Sequence, residues 1–429
     1  MKKYIVGKIF CSLFLLFASL LLLEDNFVGA LIAGILSLFF NAGTIFEVKD
    51  NNYLIILFSL ILYINLSAFV LGVLTLGITF NDYQWAIWHS KYNAIGMKSI
   101  LVSSCMFYIV MANTTRVEKK RSIQIVLDTD SHKNDIICFS CLLVTLFACF
   151  FGFNGSAENG HYVSNNNPIF EYAILFYVFA WTYKGKNKFW LVCWYGCSAV
   201  YIAIAFAAGD RSSSFMLLFI IALYNLNKIS IGKLIVFGFL GITLANIINQ
   251  YRVSGLERVM LSGVFEKGLK TFFSDTAAQS YYTALTIYEY NDIITNQIQL
   301  FFNWIISIFT GGLIVKRDSV DLPRLASMYD INGGGGLFQP YFYLLFKYWG
   351  VAIGSLITAY IIKNVYRKWN NGFCNMLKVL IPAMSLRWYL YFPTVLYRTC
   401  IVNFFIIYIF VKAVDKLTAA NPYAKKRLG

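Results

Sequence analysis

Arginine and lysine occupy different places in this chain. Arg211 stands in AAGDRSSSF, Arg252 in NQYRVSGLERV, and Arg317 and Arg324 in VKRDSVDLPRL. Arg387 lies inside the apolar run MLKVLIPAMSLRWYLYF, and Arg398 follows it across the turn YFPTVLY. A guanidinium presents a planar fork of donors that grips phosphate through two bonds, which an ammonium does not do. These arginines are therefore the residues best suited to hold a phosphate-bearing ligand. A charge within an apolar span is costly, and Arg387 is a candidate on that ground too.

Each candidate has a plainer reading. Arg211 and Asp210 could pair and simply end two helices. In favour of anion binding, Ser212–Ser214 would start the next helix, whose N-terminal dipole attracts negative charge. Arg252, after Tyr251, follows an apolar block and could only snorkel to headgroups. Arg258 stands one residue after Glu257 and could form a local ion pair. Arg317 and Arg324 precede INGGGGLFQPYFYLLFKYWG, where Gly333–Gly336 allow a close backbone approach to a ligand or form a hinge. No strand precedes these glycines and no Lys-Ser/Thr pair follows, so they are not a nucleotide loop.

Proton acceptors are fewer. His161, with Glu158 three residues before it, lies in a polar loop where a lone histidine is usually just solvated. Glu24-Asp25 ends the first apolar block. Cys138/Cys141 and Cys193/Cys197 have metal-like spacing, but no histidine or further cysteine pair accompanies them, and they read as helix packing. No metal or soluble cofactor is expected.

The elements that must position these residues follow from composition. The 429 residues are 59% hydrophobic and only 13% charged, too little to coat a soluble globule of this size. The apolar residues come in blocks, and a helix needs roughly 20 of them to cross a bilayer. Only helices and closed barrels can span, and short alternating segments are absent. The expectation is an all-α polytopic membrane protein with about 12 transmembrane helices. The spans fall near 9–23, 27–46, 53–76, 95–113, 136–153, 169–183, 189–208, 212–226, 234–249, 340–362, 376–392 and 396–412. The first is read as a retained span and not a cleaved leader.

The net charge of +15 would suggest nucleic acid in a soluble protein. Here lysines gather in alternate loops, as the positive-inside rule places them in the cytoplasm, and no nucleic-acid partner is expected. Both termini are then cytoplasmic. Letting Ile298–Val315 cross would put Lys363, Arg367 and Lys368 outside. Residues 250–339 are therefore read as one large outer loop containing 298–315 as a non-spanning apolar helix. The whole chain, 1–429, is one membrane domain with this loop within it.

The chain resembles the bacterial oligosaccharide repeat-unit polymerases, the Wzy family. The likeness rests on the span number, the outer turn GDRSSSF, the Tyr251-Arg252 step, the large loop closing in GGGGLFQPYFYLLFKYWGVAIG, and Arg387 and Arg398. It implies an inner-membrane glycosyltransferase of O-antigen or related polysaccharide biosynthesis. Such an enzyme joins undecaprenyl-diphosphate-linked repeat units on the periplasmic side, without a cofactor. Arg211, Arg252 and Arg398 would be catalytic. Arg317, Arg324, Arg387, Tyr251 and Gln339 would bind the diphosphate and glycan, and Tyr281, Tyr282, Gln279 and Asn332 with Gln339 would hold sugars by stacking and hydrogen bonds. Partners would be the lipid-linked oligosaccharides, membrane lipids and a chain-length regulator protein. The related O-antigen ligases place a functional histidine late in the loop, and residues 250–339 contain none. A ligase or a lipid-linked glycan flippase remains the alternative.

Overall fold

Asparagine sets the helix starts. Asn26, Asn51, Asn134, Asn187 and Asn371 each accept a hydrogen bond from a backbone N–H in the first turn of the helix that follows. A short side-chain oxygen satisfies donors that would otherwise be orphaned, and each such cap stabilises by about 1 kcal/mol. Behind the caps run the apolar blocks. In a computed structural model, residues 2–74, 90–112, 134–153, 155–158, 161–164, 169–208, 210–225, 231–254, 272–291, 296–311, 313–315, 320–322, 335–367 and 371–420 are described.

Two units divide the chain. The first comprises Met1–Ser122, Leu269–Trp369 and Ser385–Arg398. It holds α1 (Lys2–Leu22), α2 (Phe27–Val48), α3 (Asn52–Phe69) with a π-helical end Val70–Leu74, and α4 (Ser90–Ala112). It continues with α10 (Asp275–Asn291), α11 (Gln297–Thr310), α12 (Pro340–Arg367) and a short α14 (Ser385–Trp388). Helix α4 is central, packing on α1, α2, α10 and α12. The second unit comprises Ile123–Gly268, Asn370–Met384 and Thr399–Gly429. It holds α5 (Asp135–Gly152), a hairpin of β1 (Gly155–Glu158) and β2 (His161–Ser164), α6 (Ile169–Tyr183), α7 (Lys188–Ala207), α8 (Arg211–Asn225) and α9 (Ile231–Ser254). It ends with α13 (Gly372–Ala383) and α15 (Phe404–Ala420). A π-helix, Val395–Asn403, carries the chain from the first unit into the second.

Among the described residues, seven helices are long and apolar enough to cross a membrane: Ile5–Leu22, Phe27–Val48, Asn52–Leu74, Lys91–Ala112, Asp135–Gly152, Lys188–Ala207 and Pro340–Arg367. Large apolar side chains also stay exposed on them, such as Phe10 and Phe14 on α1 and Phe139, Phe147 and Phe150 on α5. Surfaces of that kind belong against lipid. The chain is a polytopic membrane protein.

Three expectations change. The block 376–392 is not one helix: α13 stops after 12 residues, and α14 starts again at Ser385. Pro382 lies in the last turn of the first segment, where it has no N–H to give the Lys378 carbonyl and its ring crowds that carbonyl, weakening the turn. The expected span 340–362 is broken. Phe346 and Lys347 leave helical torsions, Lys347 with φ of 50°. The chain folds back there, so that the Phe342 carbonyl and ring press on Gly350 and Gly354, where any Cβ would collide. The segment left after the break, 348–367, measures about 30 Å at 1.5 Å per residue, still enough to cross.

The third change concerns the loop 250–339. Its helix α10 is buried against α3, α4 and α12, with Tyr281, Tyr282 and Tyr288 almost inaccessible. The apolar block 298–315 forms a helix of only 14 residues, about 21 Å long. That helix buries Trp304, Ser307 and Ile308 and exposes Phe302 and Phe309.

Candidate functional site

The turn before α8 is built by Asp210. Its carboxylate accepts from the Ser213 N–H at 3.1 Å, the Ser212 hydroxyl at 2.8 Å and the Ser213 hydroxyl at 3.0 Å. The Ser214 hydroxyl donates to the Asp210 carbonyl at 3.1 Å. The expected anion site at this helix start is therefore already filled by the protein's own carboxylate. The serines spend their hydroxyls on Asp210, and the dipole meets a resident negative charge. Arg211 sits beside this cap, half-exposed, at the first position of α8. Asp210→Ala is expected to cost about 1 kcal/mol by losing an N-cap. Thermal unfolding in detergent should show a small fall in Tm, with Asp210→Asn close to wild type.

Tyr251 and Arg252 lie in the last turn of α9, which continues to Ser254. Arg252 thus belongs to the helix and does not follow it. In the same unit, β2 packs against α9, and the hairpin pairs Glu158 directly with His161. The intervening Asn159-Gly160 is a strong two-residue hairpin signal that the polar-loop reading passed over.

The first unit holds the other part. Gly335 has φ of 72°, and a Cβ there would lie 2.6 Å from the Tyr391 ring and 2.9 Å from its Cα. Gly336 N–H donates to the Tyr391 carbonyl at 2.8 Å, and Leu337 N–H to the Leu390 carbonyl at 3.2 Å. The end of the glycine run is thus a strap seated on residues 390–391, which explains the glycine at 335. The Tyr391 ring lies under the Arg387 guanidinium at 5.2 Å. Tyr391 and Phe392 N–H groups both donate to the Arg387 carbonyl. Arg387, Tyr391 and the strap form one assembly.

Arg398 is on the π-helix Val395–Asn403, a geometry that is rare and often marks functional positions. Around it, Trp304 donates to Thr394 at 2.6 Å and Tyr397 bonds Thr358 at 2.6 Å, fixing the helix that carries it. The Arg398 Nε is buried and has no hydrogen-bond partner among the described residues. A guanidinium keeps its proton, so an unmatched buried donor there is costly and asks for an acceptor.

Three expected ligand contacts are corrected. Gln339 is fully buried and donates to Ser103 at 3.0 Å and to Tyr389 at 2.9 Å, so it cannot reach a sugar. Tyr281 donates to Asn93 and Tyr282 to the Leu71 carbonyl, both from the core. Burial, with the Tyr288 and Tyr282 phenols nearby, pushes the Tyr281 phenol far above its usual range. That hydroxyl stays protonated and serves packing. Arg258, Arg317, Arg324, Asn332, Gly333 and Gly334 lie outside the described residues.

Two polar features were missed. Lys98, only 4% exposed within α4, reaches back to the Leu23 carbonyl and to Asp25 at 2.8 Å. Asp25 is therefore bound into a structural ion pair, while Glu24 accepts from Asn26. Asn65 and Ser103 are buried in α3 and α4 and join the Gln339–Tyr389 cluster. A lysine or an asparagine inside an apolar block was the available signal.

No family model, curated protein or solved structure matches the chain.

Proposed function

We propose that this protein is a polymerase that joins undecaprenyl-diphosphate-linked oligosaccharide units at the outer face of a bacterial inner membrane. The observation that carries the reading is Arg398: a cation whose buried Nε has no acceptor among the described residues, on a π-helix in a membrane protein. A guanidinium pairs strongly with phosphate oxygens, and a lipid-linked diphosphate offers several of them. A hydroxyl oxygen of the incoming unit attacks the anomeric carbon of the growing chain. The bond from that carbon to the diphosphate oxygen breaks, and undecaprenyl diphosphate leaves with the electron pair. The hydroxyl proton passes to a base or to water. Arg398 and Arg387 stabilise the charge that builds on the leaving oxygens. Arg211, Arg252, Arg317, Arg324 and Tyr251 are assigned to diphosphate and glycan binding on their residue types. About twelve spans, an outer loop over 250–339 and cytoplasmic termini belong to this proposal, as does a chain-length regulator as partner.

The test is chain extension. Purified protein supplied with a single lipid-linked repeat unit should yield longer lipid-linked products. Products longer only on a lipid A-core acceptor would make it a ligase, and movement of the substrate without new bonds would make it a flippase. Arg211→Ala should slow extension about tenfold, a modest loss because the partly exposed side chain is screened by water. Unchanged product lengths at limiting substrate would remove Arg211 from the mechanism.

A further inference from the structure

Gln339 sits four residues after Gly335, at the foot of the strap. Its amide nitrogen donates to both Ser103 on α4 and the Tyr389 hydroxyl. The Tyr389 hydroxyl in turn donates to Asn65 Oδ1 on α3 at 3.1 Å. Phe338 stacks on the Tyr389 ring at 5.7 Å and 13°. All four polar residues are at most 1% exposed. The amide nitrogen of Asn65 and the carbonyl oxygen of Gln339 have no hydrogen-bond partner among the described residues. A hydrogen-bonded cluster with surplus polar atoms is a poor way to gain stability alone.

Beside it the backbone is strained. Leu337 is buried with φ of 61°, a conformation that β-carbon residues avoid. Such residues persist only where their surroundings over-determine them, and they concentrate at functional sites. Here the fixing elements are the Gly336 and Leu337 bonds to residues 390–391 on one side and the Gln339 amide on the other.

We infer that the Gln339–Tyr389–Asn65 cluster is a positioning device: it clamps the strained strap onto Tyr391 and so fixes the Arg387 guanidinium that stacks on that ring. Gln339 acts through the strap and Tyr391, without touching ligand. The functional meaning of the clamp rests on the diphosphate reading; its geometry does not.

Two variants probe it. Gln339→Leu keeps the side chain's bulk, removes the two donated bonds and also removes the unmatched carbonyl, so the fold is retained. Tyr389→Phe deletes one hydroxyl and is milder still. The first readout needs no ligand: the rate at which phenylglyoxal modifies Arg387 in the full-length protein, followed by peptide mass spectrometry. Both variants should change that rate at least threefold, with Arg211 unchanged as the reference. An unchanged Arg387 rate in both overturns the inference. The second readout is affinity for undecaprenyl diphosphate in detergent micelles. Gln339→Leu should weaken it about tenfold, and adding it to Arg387→Ala should weaken it no further, as expected for residues in one chain of action. Additive losses overturn the inference. Altered Arg387 reactivity in a protein that does not bind the lipid diphosphate at all would leave the clamp standing and defeat the polymerase reading.

Discussion

Arg398→Ala is expected to slow chain extension by about 10²–10³-fold, the loss usual when one preorganised donor to a developing anion is removed. The expectation starts from an imbalance. Nε of Arg398 is buried with no partner among the described residues, so the folded protein carries the cost of an unmatched charged donor. Deleting that group leaves no orphaned acceptor behind. The variant should therefore be as heat-stable as wild type or slightly more so, while activity collapses. This opposite movement of stability and activity separates a ligand-binding arginine from a structural one. Arg398→Lys keeps the charge but loses the fork and should recover only part of the rate. Extension rates and Tm measured on the same preparations decide the matter. An alanine variant that extends chains within threefold of wild type, or that melts far lower, would return Arg398 to a packing role.

Tyr281→Ala is expected to be the most damaging change to the fold, at about 3–5 kcal/mol for emptying a large buried aromatic site. The tyrosine fills a slot made by two glycines. A Cβ on Gly72 would stand 2.6 Å from its ring, and one on Gly96 would stand 3.0 Å from it. Its hydroxyl donates to the Asn93 carbonyl at 3.1 Å. The ring thus pins α10, an element of the loop 250–339, between the π-helical end of α3 and the start of α4. The two glycines on that wall have no side chains to move into the space, which raises the cost. Thermal unfolding in detergent should show Tm lower by about 10 °C. Tyr281→Phe, which keeps the ring, should lose only a small part of that. A Tyr281→Ala protein that melts within 2 °C of wild type would show that α10 is not held this way.

The two variants bear on different halves of the proposal. Loss of extension in Arg398→Ala concerns the chemistry at the diphosphate. Melting of Tyr281→Ala concerns whether the loop is a structural part of the membrane domain or a separate cap over it. Burial of α10 among α3, α4 and α12 favours the first view.

Much of the helical framework was legible from local pattern. Hydropathy blocks mark helices because a helix in lipid satisfies its own backbone, so the signal is contained within each segment. Helices α5 to α8 lie within one residue of the expected blocks, α1 starts seven residues early, and the asparagine caps stand where the blocks begin. The placing of Arg387 inside an apolar run was legible for the same reason. The apolar block 298–315 was likewise legible as a helix, which runs from Gln297 to Thr310.

What tertiary structure decided is the fate of the polar residues. Gln339, Tyr281 and Tyr282 are of the type that holds sugars, and nothing nearby in sequence says otherwise. Their partners are far away: Ser103 is 236 residues from Gln339, and Asn65 is 324 from Tyr389. Only folding brings such groups together, and only then is an amide committed to the core. The break at Phe346–Lys347 arose the same way. No proline or glycine occupies those two positions, and the turn exists because Phe342 finds Gly350 and Gly354 to pack on. At Asp210 the tertiary outcome was local, but it depended on a competition that composition cannot settle: the carboxylate reaches the serines before any ligand does. The sequence by itself determined a membrane protein of apolar helices and the arginines set along it. Folding determined which side chains remain free to bind, because burial and hydrogen-bond partners are properties of distant segments meeting.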